Sequence, residues 1–172
     1  MASPEPALLE LDLGGGEGAR LRWTLPSSEE EKEALEAPAS PWRFESEPEW
    51  RRLDSIRLIS ARFDDGRALG VVTLRPAGAQ GHGDDVSVGR LVSPEGEETV
   101  TSEALVSVEF DSAGAPRRLG VELWADPDSS PARVAADRIG EAASPLGGEA
   151  TAMRFRLDGV TGAGLYEILR RP

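Results

Sequence analysis

The second half of this 172-residue chain alternates apolar and polar residues in short runs, and turn residues separate the runs. Val106, Val108 and Phe110 alternate with Ser107 and Glu109 ahead of Asp111-Ser112-Ala113-Gly114. Leu119, Val121 and Leu123 alternate with Gly120 and Glu122 ahead of Asp126-Pro127-Asp128-Ser129-Ser130-Pro131. Successive side chains of a strand point to opposite faces, so period-two runs broken by Gly, Pro, Asp and Ser mark half-buried antiparallel strands. A chain built this way folds as a sheet with an inside.

The same pattern extends upstream. Leu9, Leu11 and Leu13, then Leu21, Trp23 and Leu25, read as an N-terminal hairpin across Gly14-Gly15-Gly16-Glu17-Gly18. Asp64-Asp65-Gly66-Arg67 is a hairpin turn, because Asp-Gly suits backbone positions that need positive φ. Ile56 and Leu58 lie on one phase and Ile59, Ala61 and Phe63 on the other, which predicts a β-bulge between them. Residues 132–139 fit a strand or a short helix, and Met153, Phe155 and Leu157 alternate with arginines before the closing run at 165–169. Nine or ten strands joined mostly by tight turns predict an all-β fold with at most one or two short helices. The expected form is an antiparallel meander closing into a lipocalin-like barrel or a strongly curled sheet, with a β-sandwich as the alternative. Length suits a single domain over 1–172.

The region at about 26–53 is acidic and irregular, and it carries Trp42, Phe44 and Trp50. Ser28 and Glu31 have capping-box spacing for a helix over 28–37, with a solvated acidic loop as the rival reading. Aromatics at this density predict a segment that packs onto something, as a flap over one end of the sheet.

Composition narrows the chemistry. With no cysteine and one histidine, disulfides, thiolate nucleophiles, cysteine-bound metals and two-imidazole sites are excluded, and no metal site or cofactor is expected. A formal charge of −12 disfavours nucleic acid and anionic membrane surfaces as partners. No apolar run approaches the roughly 20 residues that span a bilayer, and no leader is visible, so no membrane insertion and a cytoplasmic location are expected.

Two groups of residues carry what functional signal there is. The segment Gly78-Ala79-Gln80-Gly81-His82-Gly83-Asp84-Asp85 sets the only imidazole beside two carboxylates. His82, Asp84 and Asp85 are therefore candidates for acid–base work, and an exposed glycine-rich connection is the plainer reading. Glu167 is a further candidate acid if it points inward, and an exposed charge if Tyr166 and Ile168 take the core. Trp23, Trp50, Trp124 and Tyr166 supply large apolar area for lining a ligand cavity, or simply for filling a core. Trp124 breaks the parity of its strand and needs a cover, from the Trp42–Trp50 flap or from a second subunit in a homodimer. The Asp126–Pro131 segment has oxygen ligands at alternate positions but proline where a calcium loop needs glycine, and reads as a turn.

The stretch Met153-Arg154-Phe155-Arg156-Leu157-Asp158-Gly159-Val160-Thr161-Gly162-Ala163-Gly164-Leu165-Tyr166-Glu167 resembles the closing hairpin of the lipocalin-like β-barrel proteins related to hydroxyneurosporene synthase, the carotenoid hydratases. Those proteins end in a strand, an Asp-Gly turn and a Gly-x-Gly-x-x-Glu segment, and typically join two barrels in a longer chain. The resemblance implies a barrel with an apolar cavity. The expected function is binding of a small apolar or amphipathic molecule in that cavity. The alternatives are a cofactor-free hydratase, isomerase or cyclase acting there, and an interaction or structural domain with a filled core.

Overall fold

The computed structural model describes residues 7–12, 17–24, 40–101 and 103–172. Among them the chain forms twelve strands and two single turns of 3-10 helix, at Trp50–Arg52 and His82–Asp84. The strands are β1 (Ala7–Asp12), β2 (Glu17–Trp23), β3 (Trp42–Phe44), β4 (Leu53–Phe63), β5 (Ala68–Pro76), β6 (Val86–Val92), β7 (Glu98–Thr101), β8 (Glu103–Phe110), β9 (Pro116–Trp124), β10 (Ala132–Ala143), β11 (Glu149–Leu157) and β12 (Val160–Arg170). The fold is all-β, as expected, and residues 132–139 belong to a strand. The helix expected over 28–37 lies outside the described residues.

β1, β2 and β3 form one antiparallel sheet, and the other nine form a second in the order β7-β6-β5-β4-β12-β11-β10-β9-β8. The edge strands of the large sheet, β7 and β8, follow each other in the chain. Glu98–Thr101 pairs with β6, and Glu103–Phe110 pairs with β9. One stretch of chain therefore serves both edges, which requires the sheet to curl strongly into a half-barrel. At this junction Thr101 Oγ1 accepts from the Gly89 amide at 3.1 Å and donates to the Gly89 carbonyl at 3.0 Å.

The turns form where the sequence places them. Asp158 and Gly159 both have positive φ, at 51° and 77°, as a two-residue hairpin turn with the twist of its strands requires. Gly164 is needed for another reason. β12 runs so close to β4 that a Cβ there would lie 1.9 Å from the Ser60 carbonyl oxygen.

Two apolar clusters occupy the two faces of the large sheet. The concave face gathers Ile59, Phe63, Leu69, Val71, Leu119, Val121, Leu123, Val134, Met153, Phe155, Leu157 and Tyr166 into one continuous core. The other face buries Leu53, Ile56, Leu58, Ala68, Val72, Leu74 and Leu169 under Ala19, Leu21, Trp23 and Trp42 of the small sheet. Both phases of β4 are apolar because both of its faces are covered. This corrects the expected bulge between Leu58 and Ile59: pairing with β5 runs unbroken from Ser55 to Arg62, and the register shifts upstream, between Leu53 and Ser55. The Trp42 segment likewise covers a face of the sheet as part of the small sheet, and does not fold over its end.

Candidate functional site

The concave face changes character along its length. Ile59, Ala61 and Phe63 of β4 are apolar, yet Arg57, in phase with them, is polar and only 8% exposed. The neighbouring strands change at the same level. β5 places Thr73 beside Arg57, and Thr73 Oγ1 shares a 2.8 Å hydrogen bond with Ser87 Oγ of β6. A charge buried to this degree needs a partner. Arg57 Nη2 donates to Asp85 Oδ2 at 2.7 Å, and Arg75 Nη1 donates to Asp85 Oδ1 at 3.1 Å. Two guanidinium groups thus divide the oxygens of one carboxylate, which leaves a net positive charge at this end of the core.

Asp85 comes from the glycine-rich connection between β5 and β6. The loop is held by Arg75 donating to the Ala79 carbonyl at 3.2 Å, by the Gln80 amide donating to Asp84 at 3.0 Å, and by the Gly78 amide donating to Asp54 at 3.3 Å. His82 Nδ1 lies 3.5 Å from Asp85 Oδ2, but the imidazole is 82% exposed. Of the expected acid–base set, Asp85 alone enters the buried cluster. His82 stands outside it, and Asp84 is spent on the loop itself.

Tyr166 projects into the same end of the concave face. Its ring is buried and its hydroxyl makes no hydrogen bond of ordinary geometry with any described residue. Burial raises its pKa, and the Arg57 guanidinium close by is the main opposing influence, followed by Arg170, which pairs with Glu149 at 3.0 Å. Buried hydroxyls are nearly always partnered, so this one stands out.

Glu167, the next residue, points to the opposite face and is also fully buried, because the small sheet covers that side. Tyr166 and Glu167 are thus buried on opposite faces, so the expectation that one of the two faces of β12 is open does not hold here. Ser40 Oγ donates to Glu167 Oε2 at 2.7 Å and Ser144 Oγ donates to Oε1 at 3.0 Å. Desolvation pushes its pKa up, against these two bonds and the charge of Arg43. Backbone β12 separates this carboxyl from the Tyr166 cluster, so the two are distinct.

The four aromatics do not share a wall. Trp23 stacks on Trp42 with ring centroids 5.8 Å apart, and Trp50 packs against the same cluster, both on the face under the small sheet. Tyr166 lies on the concave face, and Trp124 is half-buried at the end of β9. Neither Arg57 nor Arg75 is marked by the sequence, because the bulge expected between Leu58 and Ile59 hides that Arg57 is in phase with Ile59, Ala61 and Phe63. Ser40 and Ser144 carry no comparable signal, because contact with Glu167 across 127 and 23 positions is set only by the fold.

A second feature is a groove of about 650 Å³ on the convex side of β8, β9 and β10, bordered by Leu105, Ser107, Gly120 and the Arg133–Glu122 ion pair. Its polar groups are paired along the sheet and do not converge. Among the described residues no three His, Asp or Glu side chains are grouped as a metal ion requires, and no helix is long and apolar enough to cross a membrane. The chain matches no protein-family model, no curated protein and no solved structure.

Proposed function

We infer that the domain binds a small amphipathic molecule at the polar end of its concave face, with the head of the ligand at Arg57 and Tyr166. The observation that carries this reading is the buried Tyr166 hydroxyl, unpartnered among the described residues and beside a buried guanidinium. A donor desolvated without an acceptor costs about 1–3 kcal/mol. An acceptor supplied from outside the chain would recover that cost, and the half-buried Ile168, paired with Arg57 across β4 and β12, offers apolar contact next to it. The continuous core beyond Tyr166 confines such a ligand to this end.

The test is titration of a dansyl-labelled undecanoic acid, and of the matching undecanol, into the unmodified protein and into Tyr166→Phe and Arg57→Gln. The reading expects saturable binding of at least one probe, weakened several-fold by either substitution. No saturable binding of either probe would overturn it. That outcome would favour the second reading, an interaction domain with a filled interior. One observation supports this alternative: Leu123 of β9 reaches so far across the half-barrel that a Cβ on Gly89 of β6 would lie 2.7 Å from it.

A further inference from the structure

We propose that Asp85 occupies the place of a ligand carboxylate, so that the preferred ligand is an amphipathic monocarboxylate and the 78–85 loop is displaced when it binds. The proposal rests on the binding reading above and names the ligand class for that site. Its basis is the division of one carboxylate between Arg57 and Arg75, at 2.7 and 3.1 Å, with Asp85 and Arg57 each 9% exposed at the side chain. Paired guanidinium groups suit a carboxylate better than any neutral head, because charge-assisted bonds are shorter and stronger than neutral ones. The carboxylate now there belongs to a loop and not to a strand. Tyr166 adds a donor that Asp85 leaves unused, so an incoming carboxylate has one more hydrogen bond available than the resident one.

The loop has the construction that displacement needs. Gly81 and Gly83 have no left-handed backbone, and a Cβ on either would meet nothing within 4 Å. The observed conformation therefore does not call for glycine at these two positions. What glycine adds there is freedom to adopt other conformations. Residues 81–84 are all exposed, so the loop has little apolar contact to give up when it moves. The other charged groups around Tyr166, Arg170 and Glu149, neutralise each other and leave the positive charge of the Arg57–Arg75 pair uncovered once Asp85 departs.

The experiment uses the full chain and the same two probes, with amide hydrogen exchange as an added measurement. The acid is expected to bind at least about tenfold more tightly than the alcohol, because its charge is read by the arginines. Acid binding is expected to speed exchange at residues 78–85 as the loop leaves. Asp85→Asn, which removes the competing charge, is expected to tighten acid binding several-fold and to raise the acid-to-alcohol ratio. Equal affinity for acid and alcohol, or exchange in the loop that is unchanged or slower with acid bound, overturns the proposal while the binding reading stands. Binding of neither probe overturns the binding reading itself. Should Asp85→Asn fail to fold, the acid-to-alcohol ratio and the loop exchange of the unmodified protein decide the question.

Discussion

The Trp23 indole lies against the backbone of Gly70, where a Cβ would fall 2.9 Å from two ring atoms and 3.1 Å from a third. The ring is also stacked on Trp42 and is 1% exposed, so it has nowhere to retreat. This contact joins the small sheet to the large one. Gly70→Ala is expected to overpack the joint and cost about 1–3 kcal/mol. Trp23→Phe is expected to leave a void and cost a similar amount, about 1–3 kcal/mol. Urea denaturation midpoints check both, and a neutral Gly70→Ala would show that the joint is loose.

Glycines in this chain do different work, and two substitutions separate the roles. At Gly164 the obstacle to a side chain is the Ser60 carbonyl oxygen at 1.9 Å, a backbone atom fixed by strand pairing. Gly164→Ala must push β12 away from β4, and a loss on the order of 3 kcal/mol or more, or failure to fold, is expected. Gly81→Ala meets open space at φ −156° and is expected to change stability by no more than about 0.5 kcal/mol. Matched chemical denaturation of the pair tests the contrast.

How much of this was legible in the sequence depended on whether the signal was local. The Asp65-Gly66 and Asp158-Gly159 turns and the alternation at Leu119, Val121 and Leu123 are local signals, and the strands follow them. The second covered face was not local. Leu58 and Ile59 are both buried because the small sheet packs on one side and the curled sheet on the other, and a single strand cannot tell that from a bulge. The site divided the same way. Tyr166 and Asp85 were visible as residue types in suggestive places, whereas their meeting with Arg57 depends on pairing between β4 and β12 and on the course of the 78–85 loop.

Glu167 makes stability depend on pH in a direction opposite to that of a paired surface carboxylate. Burial raises its pKa in the folded protein, so the folded state holds its proton to higher pH than the unfolded chain does. Its contribution is fully present below the ordinary glutamate range and is lost as pH rises through the raised value. Glu167→Gln keeps an acceptor for one serine and a donor for the other, with no charge to bury. The variant is expected to match the parent near pH 4 and to exceed it by about 1 kcal/mol at pH 7. Asp111, whose pKa is lowered chiefly by the Ala115 amide and then by Arg138, shapes the acid limb of both proteins alike and cancels in the difference. A Glu167→Gln variant less stable than the parent at pH 7 would show that the ionised form is the one the fold favours.

Tyr166→Phe should separate stability from binding. The hydroxyl is buried with no hydrogen bond of ordinary geometry to a described residue, and only the Arg57 guanidinium approaches it, so its removal gives up little hydrogen bonding and relieves a desolvation cost. The variant is expected to equal or exceed the parent by up to about 1 kcal/mol at neutral pH, when most buried truncations destabilise. Above pH 10 the gap should widen. Burial raises the Tyr166 pKa, so the contribution of the neutral phenol is complete below the ordinary tyrosine value and is lost as pH climbs through the raised one, a loss that phenylalanine does not share. The same substitution removes a donor from the proposed head-group site and is expected to weaken binding of the acid probe several-fold. Thermal melts across pH and probe titration of one preparation measure both effects. A hydroxyl retained for packing alone would give a stable variant with unchanged binding, whereas one retained for a ligand gives a stable variant that binds poorly.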